Sequence, residues 1–223
     1  MKLSSNPAIK FEAAVVDYSD FRLGPISLEF KSNLACIVGR SGSGKSTLLS
    51  LASGVRPPTS GKVFHVEKNM SSLSERTRSV LRISLISFAG QHPIFPEEET
   101  IGNHLTFVSK LRHAENKEVK TLLERFGLFD KDNKYPYELS GGELSRINVL
   151  RALIGRTQFV ILDEPTAMLD RENADRTIEI IIAETIKRKL IIATHDELLI
   201  QHAKEFIELS DGKVFLKRNI DVS

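Results

Sequence analysis

The sequence predicts an α/β fold in which a helical lobe interrupts a core of alternating strands and helices. Three observations predict it. Short apolar runs alternate with helical stretches through most of the 223 residues, strand signals fade between about 91 and 156, and the alternation then resumes to the C-terminus.

Phe11–Val16 and Ile26–Phe30 read as short strands joined by a turn-rich stretch containing Gly24-Pro25. Leu34–Val38 is an apolar run of the kind a buried strand carries, and it feeds a glycine-rich turn and a helix from about Lys45 to Ala52. Pro57-Pro58 and Ser60-Gly61 make a turn before the strand Lys62–Val66. Ser72–Arg82 is helical in pattern, with Ser72 or Ser74 as its cap, and Ile83–Phe88 returns to the sheet. Ile101–Leu111, Lys117–Phe126 and Gly142–Leu153 are the three helices of the inserted lobe. Phe159–Leu162, a helix from Arg171 to Lys187, Leu190–Ala193, a short helix after Asp196 and Phe206–Leu209 follow in turn. Asp211-Gly212 then signals a hairpin into Val214–Leu216. In the long helix, Ile178, Ile181, Ile182 and Ile186 fall on one face and are expected in the core. The whole chain, 1–223, reads as one domain, with about 91–156 as the inserted lobe.

Composition narrows the function. The formal charge is +2, and the 31 Lys and Arg are scattered, so the basic stripe of a nucleic-acid binder is missing and no nucleic-acid partner is expected. Cys36 is the sole cysteine and lies in an apolar run, where a small buried side chain is the expectation. Met1 to Lys10 lacks the apolar centre of a signal peptide, and no stretch approaches the roughly 18–20 apolar residues needed to span a bilayer. A role at a membrane is therefore expected to be peripheral, from the cytoplasmic side.

Two motifs carry phosphate chemistry. Gly39-Arg40-Ser41-Gly42-Ser43-Gly44-Lys45-Ser46 fits the phosphate-binding loop pattern between a strand and a helix. Glycines let successive backbone N–H groups converge on phosphate oxygens, and the following helix aims its N-terminal dipole at the same anion. The expected nucleotide contacts are Gly39, Ser41, Gly42, Ser43, Gly44, Lys45, Ser46 and Thr47, with Ser46 also placed to ligate Mg²⁺. Phe159–Leu162 ends in Asp163 and Glu164, the first suited to a Mg²⁺ shell and the second to polarising an attacking water. Pro165 biases Glu164 toward an extended backbone. This pair of motifs predicts a P-loop NTPase core, and by itself admits kinases, GTPases and many ATPases.

Leu139-Ser140-Gly141-Gly142-Glu143, with Arg146 beyond it, lies about twenty residues before the two acids and resembles the signature of the ATP-binding-cassette (ABC) family. Its physical logic is again a helix tip, where the Ser140 hydroxyl and the Gly141 and Gly142 amides can surround a phosphate. The resemblance extends from about Phe11 to Leu216. It implies a RecA-like core with an N-terminal antiparallel β-subdomain and an inserted helical subdomain. It further implies Gln91 as the residue reaching Mg²⁺ and the water, His195 as the γ-phosphate switch, Asp170 as the acid of an interface loop, and Tyr18 stacking on adenine, with Phe21 its competitor. The implied ligands are ATP and Mg²⁺. The implied partners are a second nucleotide-binding subunit, as homodimer or heterodimer, and integral membrane subunits of a transporter.

The segment Met70–Arg82, with Arg76, Arg78 and Arg82, is similar to a helix of compact cassettes of the lipoprotein-releasing, macrolide-export and cell-division type. Departures from the family pattern fall at Leu144-Ser145, Leu150 and Gly102, away from the chemistry. The rival readings are a soluble ABC-type ATPase doing assembly or mechanical work without a transported substrate, and a small-molecule P-loop kinase.

Overall fold

The computed structural model describes residues 7–218; the first six and last five residues of the expected domain lie outside them. A four-stranded antiparallel sheet contains β1 (Ile9–Asp17), β2 (Arg22–Phe30), β4 (Ser60–His65) and β5 (Lys68–Asn69), in the order β2-β1-β4-β5. A six-stranded sheet contains β3 (Leu34–Val38), β6 (Ile86–Ala89), β7 (Phe159–Asp163), β8 (Lys189–Ala193), β9 (Glu205–Ser210) and β10 (Lys213–Arg218). Its order is β10-β9-β3-β8-β7-β6, parallel except for β10.

Among the described residues, seven α-helices cover these sheets: α1 (Lys45–Ala52), α2 (Glu75–Leu85), α3 (Ile101–Leu111), α4 (Asn116–Arg125), α5 (Gly141–Leu153), α6 (Arg171–Glu184) and α7 (Glu197–His202). Strand periodicity explains the layering. Leu34 and Cys36 of β3, Val160 and Leu162 of β7, and Leu190 and Ile192 of β8 point into one core shared with α3 to α7. The alternate residues Ala35, Ile37, Phe159, Ile161, Ile191 and Ala193 point into a second core with α1 and the antiparallel sheet. Both faces are covered, which is why these strands read as unbroken apolar runs. The backbone bond from Gly24 N–H to Gly212 O ties the two sheets at one corner, and the β9–β10 turn has positive φ at both Asp211 and Gly212, as a tight hairpin requires.

The expected helices of the lobe form as α3, α4 and α5, and three expectations are corrected. Residues 83–85 continue α2 instead of entering the sheet, because the Ser74 side chain caps this helix and Glu75 bonds Arg78, Ser79 and Arg82 along its length. The long helix stops at Glu184, whose carboxylate is buried against Arg188, Lys187 and Arg125, and Ile186 beyond it is 86% exposed. Ile178 and Ile181 lie in the core with Ile182 packed against it, and Ile180 joins them where Ile186 was expected. Glu164 has φ 49°, a left-handed backbone rather than the extended one expected before proline.

Cys36 is fully buried, and its thiol, pushed up to about 12 by burial, with Asp196 adding to the rise, is held as the neutral form. His65 on β4 is also fully buried, against Met70 and Arg82 around Gly54. Burial lowers its pKa from 6.5 to about 4, with a backbone contact from Ala52 offsetting only part of the penalty. A depressed folded-state pKa means that the unfolded chain takes up the proton first as pH falls. The contribution of His65 to stability is therefore full above about pH 6.5 and falls by about 3 kcal/mol toward pH 4, at 1.36 kcal/mol per unit. Urea midpoints measured from pH 7.5 to 4.5 should show this loss in the natural chain and a shallower slope in His65→Leu.

Candidate nucleotide site

The site lies where open α/β sheets bind ligands, beyond the carboxyl ends of neighbouring parallel strands. The end of β3 delivers the loop 39–44, the end of β6 leads to Gln91, the end of β7 delivers Asp163 and Glu164, and the end of β8 delivers Thr194 and His195. Cross-strand bonds from Glu164 N–H to Ala193 O (2.8 Å) and from Thr194 N–H to Ile37 O (3.1 Å) fix these ends against one another.

Ser41, Gly42, Gly44, Lys45, Ser46, Thr47, Gln91, Asp163, Glu164 and His195 line one cavity of about 610 Å³, a usual size for a nucleotide-sized ligand. Phe21, Thr166, Ala167 and Asp196 complete it. A larger cavity of about 730 Å³, between α4 and the end of α6, is lined around the Arg125–Glu184–Arg188 cluster and holds none of the motif residues.

The loop has the geometry and charge that suit an anion. Gly39 has φ 152° and approaches β9 so closely that a Cβ there would sit 2.3 Å from the Leu209 carbonyl oxygen. Gly42 has φ 77° with open space where a Cβ would point. The first turn of α1 carries no acidic residue and no side-chain cap, so its amides face the cavity uncompensated. Ser43 Oγ is buried without a hydrogen-bond partner. The Lys45 ammonium donates to the carbonyls of Gly39 (2.7 Å) and Arg40 (3.3 Å), and lies 3.3 Å from His195 Nε2 and 3.9 Å from Glu164 Oε1. His195 Nε2 is in turn 3.3 Å from Glu164 Oε1.

Burial raises the pKa of Glu164, against the opposing pull of His195 and Lys45. Burial also raises Asp163, opposed by a hydrogen bond from Ser46 and by the Lys45 and His92 charges. Asp163 is 6% exposed and, among the described residues, has no salt bridge. A buried carboxylate joined to a hydroxyl, with the Gln91 amide on the same cavity, is a hard oxygen set that fits Mg²⁺.

Tyr18 lies outside this cavity but lines a second one that shares Ser46 and Thr47 with it. Arg56, which the sequence did not single out, stacks its guanidinium 4.7 Å from the Tyr18 ring centroid, and Phe21 is 6.4 Å from Tyr18 centroid to centroid. The signature residues Ser140, Gly141, Gly142 and Glu143 are not brought to either cavity. They form the exposed tip of α5, where Ser140 Oγ accepts from Glu143 N–H and Glu143 Oε2 accepts from Ser140 N–H, a reciprocal cap. Asp170 caps α6 through Asn173 N–H at 2.9 Å. Met168, in the loop before it, packs on the signature tip, its Cε 3.6 Å from where a Gly141 Cβ would stand.

A family model described as ABC transporter matches residues 23–167, more than half of the chain. The chain belongs to the ABC transporter family. The lipoprotein-releasing system ATP-binding protein LolD of Acinetobacter baylyi is 38% identical over 183 residues, covering 79% of this chain and 80% of that protein. The putative hemin import ATP-binding protein HrtA of Staphylococcus haemolyticus is 36% identical over 184 residues, covering 80% and 83%. Among solved structures, the dimeric bacterial ABC transporter cassette MJ0796 superposes with a TM-score of 0.87 at 22% identity, over 95% of this chain and all of that one. That likeness establishes the ABC cassette fold: P-loop core, antiparallel sheet and helical insertion. No helix among the described residues is long and apolar enough to cross a membrane.

Proposed function

We infer that this chain is the ATP-hydrolysing subunit of an ABC transporter and that two cassettes pair to make each working site. One separation within the chain carries the reading. Lys45, Asp163, Glu164 and His195 converge on one cavity, while Ser140, Gly141 and Gly142 are presented at an exposed helix tip outside it. Two polar, phosphate-suited surfaces that do not meet within one copy can meet between two copies, loop of one against signature of the other. The relatives named above are subunits of a releasing system and of a putative import system, which favours work on integral membrane subunits from the cytoplasmic face.

In this reading residues 1–223 act as one cassette, with 91–156 as its helical lobe. The loop amides of 39–44 and the Lys45 ammonium hold the β- and γ-phosphates. Ser43 Oγ gains the partner it lacks. Ser46, Asp163 and Gln91 would hold Mg²⁺, which supplies charge neutralisation on the phosphates. Glu164 accepts a proton from the attacking water, and its raised pKa makes it the stronger base. His195, already touching both Lys45 and Glu164, orients that carboxylate and meets the γ-phosphate. Tyr18 stacks on the base beyond Thr47, where the two cavities join.

The test is phosphate release from MgATP by the purified chain across a hundredfold range of protein concentration. Turnover per chain should rise with concentration and saturate once pairs form. Turnover per chain that is constant down to nanomolar protein would overturn the two-copy site.

A further inference from the structure

The tip of α5 carries a carboxylate where the proposed function brings a phosphate. Glu143 Oε2 accepts from Ser140 N–H at 2.8 Å and from the Ser140 hydroxyl at 2.9 Å. Any phosphate oxygen hydrogen-bonded to Ser140 Oγ therefore lies no more than about 6 Å from that carboxylate. Two negative charges at that range repel, the more so once a second protein surface excludes water.

The other oxygen of the same carboxylate is engaged. Lys131 Nζ lies 3.2 Å from Glu143 Oε1 and 3.1 Å from Asp130 Oδ2. Lys131 sits on the connection between α4 and α5, and its backbone N–H is bonded to Leu128 O, which holds the stem in place. Both side chains are about one quarter exposed. The nearby Arg146 is committed elsewhere, with Nη1 donating to the Phe126 carbonyl at 2.8 Å. Among the described residues, Lys131 is the one cation in salt-bridge contact with Glu143.

We propose that Lys131 is a positioning residue for the two-copy site: it neutralises Glu143, so that the signature tip can cap its own helix with a carboxylate and still receive the other copy's γ-phosphate. The inference rests on the pairing reading above and adds the residue that makes pairing electrostatically possible. An acid at this place otherwise works against the function it borders, since a glutamine caps a helix through the same backbone N–H without the charge.

The experiment measures ATP-dependent dimerisation by sedimentation, with every variant carrying Glu164→Gln to block turnover. Lys131→Met should raise the dimer dissociation constant about tenfold, and Lys131→Arg should stay within about twofold of the reference. Adding Glu143→Gln to Lys131→Met should restore dimerisation, because the charge that needed neutralising is gone. A lysine that merely ties down its loop predicts no such rescue, since Glu143→Gln also removes the tie. ATP binding to the dilute monomer, read by fluorescence of a labelled nucleotide, should be the same in all these proteins. An unchanged dimer constant in Lys131→Met, or a failure of Glu143→Gln to rescue it, overturns the proposal. A reference protein that stays monomeric with saturating ATP overturns the functional reading and this inference together.

Discussion

Glu164→Gln is expected to lower ATP turnover by about two to four orders of magnitude, the range a general base contributes, while the protein still binds ATP and accumulates as a dimer. Glu164 stands at the end of β7 with 12% of its side chain exposed and the His195 ring nitrogen 3.3 Å away. Its φ of 49° places it in a backbone region that a glutamate rarely occupies, held there by the Glu164 N–H bond to Ala193 O. Glutamine keeps the shape and can occupy the same backbone, so the loop and Lys45 are not disturbed. What goes is the basic oxygen and one negative charge beside the phosphates. Loss of the charge cannot weaken ATP binding, and loss of the base leaves the terminal phosphate in place as the contact between two copies. Phosphate release and sedimentation in the same buffer separate the two effects. Turnover equal to that of the unaltered protein would remove Glu164 as the base.

That Ser41–Thr47, Asp163, Glu164 and His195 share one cavity was largely legible, because short-range chemistry dictates the elements that carry them. A loop that must bend its amides inward needs glycines at fixed places, and a buried strand that ends in two acids needs a reason for them; both leave marks in consecutive residues. The core alternation was legible for the same reason: Leu34/Cys36 and Ala35/Ile37 sort to opposite cores by the strand period alone. What escaped depends on partners distant in sequence. Residues 83–85 look strand-like by composition, yet α2 extends through them, anchored where Arg82 reaches across to the Gly54 carbonyl. Ile186 satisfies the helical period but falls after the end of α6, where Glu184 gathers three cations and stops the helix. Arg56 on Tyr18 and Lys131 on Glu143 are single ordinary cations with no motif around them. Only the folded chain gives them meaning.

Lys45→Ala carries the second large effect, in the opposite place on the reaction path: it should abolish measurable nucleotide binding, where Glu164→Gln preserves it. The Lys45 residue is 9% exposed, and its ammonium is bonded to the Gly39 and Arg40 carbonyls of the loop. Those bonds fix the loop, and in the proposed reading the side chain acts twice, once in organising the loop and once in countering the triphosphate charge. Alanine removes both, and the neighbouring His195 ring, 3.3 Å from the ammonium and with more than half its side chain exposed, does not bond the Gly39 and Arg40 carbonyls in its place. For the unaltered protein, ATP at 100-fold above its dissociation constant stabilises the fold by about 2.7 kcal/mol, a shift in melting temperature of about 5–11 °C for a chain of this size. In Lys45→Ala that shift should vanish at the same ATP concentration, with the ligand-free protein still melting cooperatively. The preserved ligand-free transition distinguishes a lost phosphate grip from a lost fold. A melting shift that persists in full would mean that the loop amides and the α1 dipole hold the triphosphate without a lysine, and the charge argument for this site would fail.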